Sequence, residues 1–342
     1  MTTVLIIRLS ALGDVAMLVP VLYSAAKYHP NVRFVLLTKN QLFPIFEKRP
    51  ANVDVFPVFA KGRHKGIGGL FRLINDLSKL KIDQVADMHL VLRSLLLRTF
   101  FFLKGKKIAF IQKGRTEKKH LTRKTNKLLY VLTPTYERYR HVFSRLGYDF
   151  PMDFEGLNVY KKNDFSNIEH VTGKKNETWI GIAPFAKHTG KIYPIEKMDE
   201  VIRLLAQRPN TRIFLFGGKN ENFQLQSWEK KYKGVSFVSD QLSFSAEIEL
   251  MSCLDVMITM DSGNMHLASL TGIPVVSIWG ATHPSAGFYG YQQELAYAVQ
   301  IELSCRPCSV YGNKSCYRKD YICLHGIKPE MVIDKVEEVM RK

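Results

Sequence analysis

The chain has 342 residues, 46% of them hydrophobic and 23% charged, with a formal charge of +18. That length exceeds what one core usually serves, so two domains are expected, and the composition excludes a fibrous or disordered chain. No stretch offers the ~20 apolar residues of a membrane-spanning helix, and "VLII" near the start is too short for a signal peptide, so a cytoplasmic protein is expected.

"TVLIIRL" reads as a buried strand, followed by "DVAMLVPVLYSAAKYH", whose apolar residues recur at helical spacing. "RFVLLT", "VDVFPV" and "DQVADMHL" read as further strands. "LVLRSLLLRTFFFLKG", residues 90–105, reads as a mostly buried helix that Arg93 and Arg98 interrupt. The polar, aperiodic stretch at 150–178 reads as a linker. The alternation then restarts: strand "TWIGIAP", helix "MDEVIRLLAQR", strand "TRIFLFGG", helix "SAEIELMSCLD", strand "VMITM", short helix "NMHLASLTG" and strand "PVVSIWG". "KPEMVIDKVEEVMRK" is an amphipathic helix. Strands alternating with helices imply parallel sheets covered on both faces. The expected architecture is therefore two doubly wound α/β domains in tandem: residues 1–160, a linker at 161–178, residues 179–327, and a terminal helix at 328–342.

The charge is uneven. Residues 61–127 hold 18 Lys or Arg against 4 Asp or Glu. This points to an anionic partner: nucleic acid, a membrane face or a phosphorylated substrate. The plain alternative is a solvated surface. "KGRHKG" (61–66) and "KGRTEKK" (113–119) are loop-like and cationic.

The most informative run is "VMITMDSGNMHLASLTGIPVVSIWGATHP", 256–284. Its first strand ends at Met260. Asp261 can cap the next helix, with Ser262, Gly263 and Asn264 in its first turn. Free N–H groups and the helix dipole make such a start an anion site, Gly263 admits a close phosphate, and His266 can donate to a phosphate oxygen. Equally, Asp261 can be only a cap and His266 a structural histidine. In "APFAKHTGKIYP" (183–194), Lys187, His188 and Lys191 lie on a loop at a strand end, a placement that suits a diphosphate. "FGGKNEN" (216–222) is a third strand end, fit to approach a ribose or base. No G-x-G-x-x-G opens either sheet, no P-loop or G-x-S-x-G elbow is present, and no Asp-x-Asp offers to hold a catalytic metal.

These residues resemble glycosyltransferase family 9, the ADP-heptose:lipopolysaccharide heptosyltransferases. The likeness rests on "RLSALGDVAMLVPVL", "DMHLVLRS", "KIYP", "DSGNMHLASLTGIPVVSIWGATHP" and the cysteine-bearing tail. It implies the GT-B architecture, two Rossmann-like domains facing across a cleft, with the acceptor mainly on the first and the nucleotide sugar mainly on the second. By resemblance Asp14 is the acidic base, Lys191 a donor-phosphate ligand, and Asp261, Ser262, Gly263 and His266 the donor motif. Tyr193 stands where the family often has Trp. Ala186 and Lys187 stand where it has Thr or Ser, and Lys219 or Glu221 offers the ribose contact that a Glu makes in some members. These departures put the exact sugar nucleotide in question.

The reaction implied is inverting transfer of heptose or a related sugar, with ADP-heptose as donor and a lipopolysaccharide inner-core acceptor. A carboxylate takes the hydroxyl proton while cations and N–H groups receive the diphosphate charge. No cofactor is required. Gly13, Arg63, Lys65 and Arg115 are the acceptor candidates, and the basic region also suits peripheral contact with an anionic membrane surface at the inner face of the inner membrane. Alternatives are a GT-B enzyme of another specificity, such as an epimerase, and a basic nucleic-acid-binding protein; the second leaves Asp14 and "DSGNMHLA" unexplained, so no nucleic-acid partner is expected. Cys305, Cys308, Cys316 and Cys323 either bind a structural zinc as a tetrathiolate or pack as four reduced thiols.

Overall fold

In the computed structural model, which describes residues 1–157 and 166–341, the chain divides into two compact units. Met1–Lys113 and Pro134–Glu155 form the first; Gly114–Thr133 and Gly156–Lys342 form the second.

The N-terminal part runs β1 (Thr2–Ile7), α1 (Leu12–Ala16), α2 (Val19–Tyr28), β2 (Val32–Lys39), β3 (Val53–Val58), α3 (Gly66–Ser78), β4 (Gln84–Asp87), α4 (Leu92–Leu103), β5 (Lys107–Phe110), α5 (Arg115–Leu121) and α6 (Thr135–Leu146). The five strands are all parallel, in the order β3-β2-β1-β4-β5. β1 is central, and Val4 to Ile7 are fully buried, because helices cover both sheet faces. Leu70, Leu73 and Leu77 of α3, with Leu97 and Phe101 of α4, pack on one face against Leu5, Ile7, Val35 and Val85. On the other, Phe143 of α6 meets Phe34 edge-on at 5.8 Å.

Three expectations change here. The helix expected over 14–29 is two helices, α1 and α2, separated at Met17–Leu18. Pro20 has no N–H to continue the ladder and sits instead in the first turn of α2, where none is needed. The helix at 90–105 is not mostly buried: one side faces the core, but Leu92, Leu95, Leu96, Phe102 and Leu103 are exposed. The stretch at 113–119 is not a loop but largely α5, and segment 114–133 groups with the second unit, not the first. Leu121 and Leu132 pack there with Ala286 and Phe288, Leu132 N donates to Ser285 O at 2.9 Å, and Lys127 Nζ donates to the carbonyls of Cys305 and Pro307.

Of the expected linker, 161–165 lie outside the described residues, as do 158–160; the rest includes α7 (Glu169–Thr172). The second unit continues with β6 (Thr178–Ala183), α8 (Ile195–Ala206), β7 (Thr211–Leu215), α9 (Asn222–Lys231), β8 (Val235–Phe237), α10 (Phe244–Cys253), β9 (Val256–Met260), α11 (Gly263–Leu270), β10 (Val275–Ile278), β11 (Ala298–Val299), α12 (Ile322–His325) and α13 (Pro329–Met340). Its parallel sheet has the order β11-β10-β9-β6-β7-β8. α8 and α13 bury Val201, Ile202, Leu205, Val332 and Val336 on the strands. Each unit is thus a doubly wound Rossmann-like α/β layer structure.

Candidate active site

In an open parallel sheet, loops diverge where the strand order reverses, and ligands bind there at the carboxyl ends. In the first unit that point lies between β1 and β4. Arg8 follows β1 and is buried. Its guanidinium pairs with Asp14 Oδ2, and Nη1 donates to Met88 O at 2.7 Å, tying the ends of the two strands together. Asp14 is more open, its side chain 29% exposed. Ala11 N also donates to Asp14 Oδ2, at 3.3 Å, the reach-back half of a capping box. From α6, Tyr139 Oη donates to the Asp14 carbonyl at 3.2 Å. Both bonds to the carboxylate fall on Oδ2. Arg8 therefore orients the group.

Beyond β4, the fully buried Asp87 accepts from His89 N and Leu90 N, both at 2.9 Å, with Arg98 Nη1 3.7 Å from its other oxygen. His89 is thereby fixed beside the Arg8–Asp14 pair. Burial, with Arg8 and Lys113 nearby, holds its imidazole down at about 4, so the ring is neutral at neutral pH. Sequence reasoning missed Arg8, Asp87 and His89. The signal was present: an arginine ends an apolar strand, and "DMHLVLRS" was among the family-like stretches.

The acceptor candidates divide between the units. Gly13 adjoins Asp14 in α1. Arg63 and Lys65 occupy the turn between β3 and α3, where Arg63 already forks onto Asp76 at 2.8–3.1 Å. Arg115, exposed at the start of α5, belongs to the second unit.

In the second unit the order reverses between β6 and β9. Lys191 follows β6 and Asp261 follows β9; Nζ and Oδ2 are 2.7 Å apart and both side chains are largely buried. Asp261 is therefore not the helix cap. Ser262 holds the N-cap position of α11, and its hydroxyl meets Thr259 Oγ1 at 3.2 Å. Ser262, Gly263 and Asn264 remain partly accessible, and His266 is buried one turn on. The pair places a lysine ammonium beside a helix start that offers free N–H groups, a combination suited to a diphosphate.

Backbone packing fixes Lys191. Gly190 O accepts from Ala281 N at 2.8 Å, joining the loop after β6 to the loop after β10. A Cβ on Gly312, whose φ is +72°, would stand 2.6 Å from Lys191 Cγ, so the tail runs directly along the lysine stem. Cys308 N and Ser309 N both donate to Ala281 O. The buried Arg306 donates to the carbonyls of Trp279, Gly280 and Thr282, holding the end of β10. The cysteine-bearing tail thus buttresses the loops after β6 and β10. Its four thiols are free, and burial pushes that of Cys323 up to about 11. Among the described residues no group of three or more His, Cys, Asp or Glu side chains that could hold a metal ion is found.

The remaining donor candidates differ in what they can reach. Ala186 packs on the core, whereas Lys187 and Lys219 are exposed. Glu221 Oε2 accepts from Gly218 N at 2.6 Å, which shapes the turn after β7. Tyr193 is a core residue: it is buried and its hydroxyl donates to Ile327 O at 3.0 Å. Tyr193→Phe is expected to lower stability by about 0.5–1.5 kcal/mol, the usual worth of one hydrogen bond, with the preference among nucleoside diphosphates unchanged. Denaturant unfolding and calorimetric titration check the two halves.

Comparisons with known proteins give the family and the fold. The family model described as "Glycosyltransferase family 9 (heptosyltransferase)" matches residues 70–317. A lipooligosaccharide heptosyltransferase 2 of Campylobacter jejuni is 25% identical over 96% of both chains. Among solved structures, a family 9 glycosyltransferase of Veillonella parvula superposes with a TM-score of 0.76 at 20% identity, covering 99% of this chain and 97% of that one. The E. coli ADP-heptose lps heptosyltransferase II does so with 0.73 at 16% identity, covering 100% and 99%. The fold is that of the GT-B enzymes. With more than half its length under the family model, the chain belongs to glycosyltransferase family 9, the heptosyltransferases.

Proposed function

We propose that this enzyme moves a heptose from ADP-heptose to a hydroxyl of the lipopolysaccharide inner core, with inversion at the anomeric carbon. The observation that carries the reading is the placement of an aimed carboxylate, Asp14, at one switch point and a lysine beside a helix N-terminus at the other. The acceptor hydroxyl gives its proton to Asp14 while its oxygen bonds to the anomeric carbon. The bond from that carbon to the diphosphate oxygen breaks, and the electron pair leaves on the diphosphate. Lys191 and the first N–H groups of α11 receive the charge, so the chemistry proposed draws on no metal. The E. coli heptosyltransferase WaaC, solved with ADP and again with ADP-2-deoxy-2-fluoro heptose, shares the fold at a TM-score of 0.67 in both structures, which supports the choice of donor. Lys187, Lys219 and Glu221 are proposed to line the rest of that site.

Arg63, Lys65 and Arg115 are proposed to meet anionic groups of the acceptor, and the basic surface to bring the enzyme to an anionic membrane. Among the described residues no helix is long and apolar enough to cross a membrane. The test is transfer to deacylated core oligosaccharide, with and without its phosphates, at two ionic strengths. ADP release is expected to depend on acceptor and to slow as salt screens the capture of the phosphorylated one. Arg63→Ala with Arg115→Ala should raise its KM by about a few-fold, since both side chains are exposed and such contacts are weak. Consumption of donor without acceptor would indicate an epimerase instead. Equal use of both acceptors by wild type and variant would remove the two arginines from the acceptor site.

A further inference from the structure

A surface helix ordinarily turns its apolar stripe inward and its charges outward. α4 reverses half of this rule. Ser94, Leu97 and Phe101 face the core, yet Leu92 is 72% exposed, Phe102 67% and Leu103 78%, with Leu95 and Leu96 between them also exposed. At 100° per residue these five side chains share one outer face about 16 Å long, with the exposed Thr99 in its middle. The two arginines of the helix do not interrupt it. Arg93 Nη1 donates to His64 O at 3.1 Å, and Arg98 reaches Asp87 and lies over the Phe110 ring at 4.3 Å. Both cations are drawn back onto the unit, and the face left outside is apolar.

The neighbouring helix continues the pattern. α3 packs beside α4 on the same side of the sheet, and its first turns expose Ile67 at 78% and Phe71 at 66%. Around this double stripe the sequence from 61 to 107 has eleven Lys or Arg and three Asp. Lys61, Lys65, Arg72 and Lys104 are exposed. Apolar side chains of this size, on two adjacent helices, exceed the scattered exposure normal for a soluble surface.

We propose that the outer faces of α3 and α4 form a membrane-docking surface that inserts its leucines and phenylalanines among the acyl chains of an anionic bilayer while the lysines and arginines around them meet the headgroups. Charge complementarity selects this occupant. A second copy of the chain would oppose one basic rim to another, whereas an anionic leaflet neutralises it. An amphipathic surface needs both terms, because apolar insertion and headgroup attraction are each weak alone. The proposal rests on the reading that the acceptor is carried on a lipid, but its test uses vesicles without acceptor or donor, so the two can fail separately.

The experiment is co-flotation of the full chain with phosphatidylglycerol-containing vesicles and with phosphatidylcholine vesicles. Wild type is expected to float with the first and at least tenfold less with the second. Leu95→Glu with Phe102→Glu is expected to cut flotation on the anionic vesicles at least tenfold while the thermal midpoint and ADP affinity stay at wild-type values. Should that variant misfold, Phe102→Trp keeps the face apolar. The three native tryptophans are all buried, so added quenching by brominated lipid reports position 102 alone. Strong quenching supports insertion. Flotation undiminished by the glutamates, or vesicle-bound Phe102→Trp with no added quenching, overturns the proposal. So does a wild-type chain that ignores anionic vesicles but forms a dimer that the glutamates dissolve.

Discussion

Asp14→Asn is expected to slow sugar transfer by roughly 10²–10⁴-fold, the span that a positioned general base contributes, while the Kd for donor stays near that of wild type. The amide keeps the shape of the carboxylate and can still accept from Ala11 N at the start of α1. It cannot accept the hydroxyl proton, and it surrenders the ion pair with the buried Arg8. Some stability will be lost as well, because a neutral amide oxygen binds the buried guanidinium less strongly than a carboxylate does. Transfer is therefore to be measured below the unfolding transition, with calorimetry of donor binding beside it. A kcat within a few-fold of wild type would take Asp14 out of the chemistry and leave it as the partner that orients Arg8.

Lys191→Ala should weaken binding of ADP and of the sugar nucleotide together. A charged hydrogen bond to a partly buried phosphate is worth about 1.5–3 kcal/mol, or on the order of 10–100-fold in Kd. kcat should fall too, since the leaving diphosphate gains charge as the reaction proceeds. The ion pair makes a second expectation unavoidable. Asp261 is buried and would lose its cation, a change that costs about 3–5 kcal/mol when a buried pair is broken on one side. Lys191→Arg keeps a cation for Asp261 and should restore most of the stability with less of the catalysis, because Gly312 closes against the lysine stem and leaves little room for a guanidinium. Unchanged ADP affinity in the alanine variant would show that the loop after β6 does not hold the phosphates.

Much of this framework was legible in the sequence. β1 and β9 fall where the apolar runs "TVLIIRL" and "VMITM" stand, because a strand buried on both faces has to be largely apolar. Asp261 was legible for a related reason: it directly follows the apolar run of β9, whereas Arg8 and Asp87, which end the runs of β1 and β4 in the same way, were passed over. What stayed hidden depended on partners distant in sequence. Nothing near Asp261 announces Lys191, and the local rule, an acid before a helix, gave the wrong role of cap. Tyr193 reads as a substitution in a donor motif until Ile327, well over a hundred residues on, accepts its hydroxyl. The helix at 90–105 has a composition equally fit for a core or for a greasy exterior, and only its arginines' contacts, bent back onto the unit, distinguish the two.

The chain's path between the units also governs how it can be made. Segment 114–133 leaves the ribosome before the first unit is complete, since that unit also needs Pro134–Glu155. Its own partners, Ala286, Phe288 and the carbonyls of Cys305 and Pro307, emerge some 150 residues later. At 5–20 residues per second of synthesis that is a wait on the order of ten seconds. Throughout it, Leu121 and Leu132 have nowhere to pack, on a stretch that also carries Leu128, Leu129, Tyr130 and Val131. The lysines and arginines that crowd the same stretch keep it apart from other nascent chains by repulsion.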